Sequence, residues 1–262
     1  MTTTIECLTA FFGQVADQLA GLPQPPEAHR WPREVVPLGL LHALQGGGNR
    51  AVSRWLTRAA RALCPRVPER PRLLRLFPTH HDGPPAFVAA PPVLGGMAPS
   101  GIELIHPMRA GRRPPPLGRT GLSNHRGIGG GTLGLCWPQW GVGVGWAWAT
   151  AHGAAHTLQW LMGQGEERML VLRDTGCHAA AGAPVHLTVC PRGAWEERML
   201  VETGLSMLTL VCHVTQGRPR GWASCQARLA FTMAACNGLV QWHGLEPDAS
   251  GFVPLSIAAC SL

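Results

Sequence analysis

Neither Lys nor Tyr occurs in this chain of 262 residues, so all 22 of its Lys-plus-Arg cations are Arg. Both missing residues have AT-rich codons, whereas Gly (33), Pro (24), Arg and Ala have GC-rich ones. Nucleotide bias accounts for the absence, which therefore says little about function. It does exclude a Walker-type phosphate loop, because the glycine-rich run 127–131 has no lysine after it. The nine cysteines contain no CxxC pair, so buried or free thiols in a reducing compartment are expected. His80-His81-Asp82 and Cys177-His178 with His186 and Cys190 are candidate metal ligands. The second set lacks paired zinc-type spacing, and core thiols with surface imidazoles are the better expectation. No N-terminal signal sequence is visible, so the expected location is cytoplasmic. Between Gly127 and Gly165 there is no Asp, Glu, Lys or Arg. That run is Gly-rich rather than Leu-rich and is broken at Pro138-Gln139, so no membrane partner is expected.

What the chain does have is unevenly placed positive charge. Of the formal net +7, residues 30–75 supply ten Arg against Glu34 and Glu69, while residues 76–262 hold twelve Arg against ten acids. Polyanions, above all nucleic acid, are the natural partners of such a region. A capping box, Thr3-x-x-Glu6, with Ile5, Leu8, Phe11, Phe12, Val15 and Leu19 at helical spacing, predicts a helix over 2–20. A second helix is expected over Glu34 to Leu44, which Pro37 should kink unless it falls in the first turn. From Asn49, the residues Val52, Trp55, Leu56, Ala59 and Leu63 form one face of a third helix. Arg50, Arg54, Arg58 and Arg61 form a stripe beside it at steps of four, four and three. Four guanidiniums on one face suit successive DNA phosphates, and a solvated face of a helical bundle is the competing reading. Residues 64–92, rich in Pro and Arg, read as a linker. The expected organisation is a helical, Arg-rich DNA-binding region over 1–80 and a second domain over 92–262.

Within the second domain, 93–105, 124–137 and 142–150 are strand candidates, the last two joined by the turn Pro138-Gln-Trp-Gly141 as a hairpin. Trp137, Trp140, Trp146 and Trp148 could stack on bases, but positions 146 and 148 share one strand face, which favours core packing. Residues 156–169 read as a crossing helix. Met169 to Leu172 reads as a buried strand that carries Asp174 just past its end. A short strand, Pro184 to Cys190, precedes a helix containing Arg198 and Glu202. A strand-end Asp and a later helical Glu form two thirds of a metal-binding carboxylate set.

This order resembles the ribonuclease-H-like catalytic domain of DDE-type insertion-sequence transposases. The phrases that carry the resemblance are GIELIHP at 101–107, GLSNHR at 121–126, LRDTGCHA at 172–179 and RMLVETGLSMLTLVCH at 198–213, with QARLAFTMAACNGLVQWHGL at 226–245 similar to the family's closing helix. The fold that follows from it is α/β: a ribonuclease-H-like mixed five-stranded sheet with flanking helices, preceded by a small helical N-terminal domain. The resemblance implies that Asp174 and Glu202 bind Mg²⁺ or Mn²⁺, with Arg198 one helical turn before Glu202. It implies DNA as partner, both element ends and target, and leaves homo-oligomerisation open. Two departures from the family are Thr209, where a lysine is often found, and Trp195, where a tyrosine is usual.

The resemblance implies that the first carboxylate of the set lies in VLGGMAPSG, at the position that Ala98 occupies here. No Asp occurs between Asp82 and Asp174. Glu103 is an odd number of residues from Ala98 and so belongs to the other face of a continuous strand. In-line displacement at phosphorus uses two divalent metals roughly 4 Å apart, held at that spacing by a shared carboxylate. Loss of about 4 kcal/mol of transition-state stabilisation slows such a reaction roughly a thousandfold. The expectation is therefore a transposase impaired in end cleavage and strand transfer, with its metal not necessarily retained. The alternative is a non-catalytic DNA-binding remnant of a transposase. A third reading is a chain whose glycine-rich strands no longer fold stably.

Overall fold

A computed structural model describes residues 4–23, 26, 30–58, 61, 66–80, 87, 94–103, 120–123, 126–150, 170–173, 187–189, 198–216, 221–249, 251 and 253–256. The helices are α1 (Thr4–Gln18), α2 (Pro32–Leu44), α3 (Asn49–Arg58), α4 (Arg70–Thr79), α5 (Arg198–Leu210) and α6 (Trp222–Trp242). The strands are β1 (Leu94–Glu103), β2 (Thr120–Ser123), β3 (Arg126–Pro138), β4 (Gly145–Thr150), β5 (Leu170–Arg173) and β6 (Leu187–Val189). The chain forms two compact units: α1–α4 with α6, and the strands with most of α5.

In the helical unit, α6 is the centre. Its buried residues include every position from Leu229 to Val240, on all sides of the helix. A helix apolar all round must be enclosed, and α1, α2 and α4 enclose it. Phe11, Val15 and Leu19 of α1 and its C-terminal turn, spaced by four, are all buried. Helix α2 begins with Pro32 in its first turn, where a missing N–H costs nothing, and the Glu34 carboxylate accepts from the Trp31 N–H at 3.0 Å. Pro37 lies inside α2 and is buried, and the helix continues through it to Leu44. Gly39 lets α2 approach α6, since a Cβ there would meet the Phe231 ring at 2.5 Å. Asn237 Nδ2 donates to the Phe87 carbonyl at 2.8 Å, which gives a buried amide a partner.

In the strand unit, β3 is central. It pairs antiparallel with β1, β2 and β4, β1 meeting it in register from Gly95↔Pro138 to Glu103↔Gly130. The β3–β4 turn forms where its residues predict, with Gly141 at φ +72° and its N–H donating to the Pro138 carbonyl at 3.1 Å. β5 joins β1 in parallel over Leu94–Met97 and β6 joins β5. Helix α5 is seated through Val201, beside Gly96, and through Gly204, where a Cβ would lie 2.8 Å from the Trp137 indole.

The expected ribonuclease-H-like five-stranded sheet with flanking helices, preceded by a small helical N-terminal domain, is overturned. The sheet has six strands, because Thr120–Ser123 pairs with the Arg126–Gly129 end of a long β3. The helical unit is not confined to the N-terminus, because α6 lies in it. Among the described residues α5 is the only helix of the strand unit. The physical reason is α6 itself, whose apolar circumference calls for helices on several sides rather than one sheet face. The stretch read as a linker also contains α4, whose Leu73, Leu76 and Phe77 are buried. Residues 156–169, expected to form a crossing helix, lie outside the described residues.

Candidate functional site

Arginines of three helices, α3, α4 and α6, line one cleft of the helical unit of about 820 Å³. Arg50 and Arg54 come from α3, Arg70 and Arg75 from α4, and Arg228 from α6, five guanidiniums with no Asp or Glu among the described lining residues. Helix α3 presents its arginines because Val52 and Leu56, four apart, are buried and fix its other face inward. Helix α4 does the same through Leu73, Leu76 and Phe77, with Pro71 tolerated in its first turn. Arg30 pairs with Glu34 at 3.5 Å, away from the cleft, whose described lining holds no carboxylate to neutralise its arginines.

The cleft also contains a polar chain that crosses three elements. Asn49 Oδ1 lies 3.1 Å from His42 Nε2, and His42 Nδ1 lies 3.3 Å from Arg228 Nη1. Arg228 Nη2 reaches the His213 carbonyl at 3.5 Å, and His213 holds a left-handed backbone at φ 51°. Burial first, and the Arg228 charge second, push the His42 pKa down from 6.5 to about 4, against an opposing hydrogen bond to Asn49. Burial also lowers the Arg228 pKa, but an arginine keeps its proton throughout the physiological range. The site therefore presents a cation oriented by a neutral imidazole. The His42 ring meets Phe77 edge-on at 5.5 Å, and Phe77 meets Phe231 at 5.3 Å, which makes the surroundings apolar.

The expected four-arginine stripe is thus only partly helical. Arg50, Arg54 and Arg58 are exposed on α3, which ends at Arg58, and Arg61 is exposed in a turn beyond it. Arg50 and Arg54 line the cleft, and Arg58 and Arg61 do not. Arg70 and Arg75 were hidden by the linker reading of a proline-rich stretch. Arg228 carried a signal that could have found it: it is the single charged residue of α6.

The carboxylate set is placed less fully. Asp174 follows β5 and lies outside the described residues, as do His81, Asp82, Cys177, His178, His186 and Cys190. Glu202 is exposed on α5, whose neighbouring Val201 and Gly204 face the sheet, and Arg198 is the first residue of that helix. Ala98 pairs with Leu135 in β1. A methyl side chain supplies no oxygen ligand. Among the described residues no group of three His, Cys, Asp or Glu could hold a metal ion. Trp137 is fully buried and Trp140 is 45 % exposed at the hairpin turn. His80 is buried in the helical unit.

Comparison with known protein families, with curated proteins and with solved structures finds no match. Among the described residues no helix is long and apolar enough to cross a membrane.

Proposed function

We propose that this is a DNA-binding protein, related by descent to insertion-sequence transposases, that holds DNA through its phosphates and does not cut it. The observation that carries the reading is the convergence of Arg50, Arg54, Arg70, Arg75 and Arg228 on one cleft with no acid among its described lining residues. Arginine forks match phosphate oxygens in geometry and charge, and contacts of this kind position a protein on DNA without reading its sequence. The descent rests on the motif phrases around Asp174 and Glu202, and the loss of Mg²⁺- or Mn²⁺-dependent end cleavage and strand transfer rests on Ala98. A cytoplasmic location and self-association on element ends belong to the same reading.

The test is a titration of duplex DNA at several salt concentrations. Affinity is expected to fall steeply between about 50 and 200 mM salt, as it does when several phosphates are neutralised. Arg50→Gln with Arg54→Gln should reduce the slope of log affinity against log salt by about one unit per contact removed. A slope that the double variant leaves unchanged would place the DNA elsewhere.

A further inference from the structure

We propose that the arginine cleft is an end-binding site: it seats a phosphate monoester, presented by the terminus of a nucleic-acid strand or by a free nucleotide. The inference rests on the phosphate-binding reading above and narrows it to one chemical form of phosphate.

The first argument is shape. A concavity of about 820 Å³ falls within the range of small-ligand sites, roughly 300–1,000 Å³. The side of a duplex is convex and meets such a cleft only at its rim, whereas a strand terminus can enter. The second is the number of directions from which donors arrive. Arginines from α3, α4 and α6 line the same space. A monoester offers three non-bridging oxygens and a charge of about −1.5 to −2 near neutral pH. An internal diester offers two such oxygens and a single charge, fewer than the donors present.

The third argument concerns Arg228. Its Nη1 faces the His42 ring and its Nη2 faces the His213 carbonyl, while its Nε is buried with no hydrogen-bond partner among the described residues. A guanidinium has five donors in a fixed plane, so these two contacts fix its orientation and leave donors over. Leu74, Phe77 and Phe231 line the same cleft, and apolar surroundings strengthen a charge-assisted hydrogen bond relative to water.

The experiment measures binding of one single-stranded oligonucleotide in 5′-phosphorylated, 3′-phosphorylated and hydroxyl-ended forms, alongside a sealed circular duplex that has no ends. At least one phosphorylated form is expected to bind about tenfold more tightly than the hydroxyl form, the equivalent of one good charge-assisted contact. Arg54→Gln with Arg75→Gln, both exposed and so removable without disturbing the core, should bring that ratio close to one. Equal affinity for all three forms overturns the end site while leaving the backbone reading to the circle. Loss of circle binding with the end preference intact overturns the backbone reading instead. Competition separates the two sources: displacement by a nucleoside monophosphate as effective as by the phosphorylated strand assigns the free nucleotide, and weak displacement assigns the strand terminus.

Discussion

Arg228 Nη1 and His42 Nδ1 lie 3.3 Å apart, and because a guanidinium can only donate, the imidazole must accept at Nδ1. That choice settles the tautomer. The remaining ring proton is on Nε2, where Asn49 Oδ1 accepts it at 3.1 Å. One chain of hydrogen bonds thus ties α3 to α2 and α2 to α6, and it works only while His42 is neutral.

Acid should break it. The His42 pKa falls from 6.5 in an unfolded chain to about 4 in the fold, so protonation favours unfolding. Its contribution is complete above about pH 6.5 and is lost as the pH falls towards 4, amounting to about 3 kcal/mol at most. Urea midpoints measured across that range should fall with pH. In His42→Gln, which keeps an acceptor for Arg228 but does not titrate there, the fall should be smaller.

Two glycines in the helical unit should respond in opposite directions to the same change. Gly39→Ala drives a methyl into the Phe231 ring and is expected to cost about 1–3 kcal/mol, the usual penalty for overpacking. Gly13 lies inside α1 with nothing within 4 Å of its added Cβ, so Gly13→Ala should stabilise by about 0.5–1 kcal/mol. Chemical denaturation of the two variants checks both signs.

Asn237→Ala removes the donor to the Phe87 carbonyl inside the helical core. The expected loss is about 1–3 kcal/mol, because a buried carbonyl is left without its partner. A thermal melt unchanged from that of the parent protein would show that water reaches this carbonyl.

Thiol chemistry offers a check on burial in both units. Burial pushes Cys136 and Cys225 up to about 12, and Cys212 and Cys236 are also buried and free. These four should resist maleimide labelling near pH 8 in the native protein and react in denaturant, since the thiolate is the reactive form. Rapid native labelling of Cys136 would mean that β3 opens to solvent.

Ala98→Asp addresses the proposed loss of cleavage directly. If position 98 is the missing ligand, the variant should show metal-dependent nicking of element-end DNA where the parent protein shows none. Robust strand transfer by the parent protein would refute the proposed loss of cleavage.

How much of this was legible depended on whether the signal was local. The α1 spacing and the Pro138–Gly141 turn involve residues close in sequence, and both stand where expected. Prolines misled in the other direction: the Pro-rich stretch 64–92 read as a linker, but Pro71 and Pro78 sit at the two ends of α4 and leave its middle intact. Strand β2 was missed because Thr-Gly-Leu-Ser has little strand propensity of its own and gains its place from β3. The cleft could not be read locally at all. Asn49, His42 and Arg228 meet only because α6 enters a core whose other helices are far away in sequence.

Helix α6 also dictates an order of events at the ribosome. The first four helices leave the exit tunnel well before it, and the whole of Val88–Met207 is synthesised in between. At bacterial or eukaryotic elongation speeds that interval is on the order of 10 s. During it the apolar faces of α1, α2 and α4 lack the helix they enclose, so the nascent N-terminal segment cannot complete its core until α6 emerges.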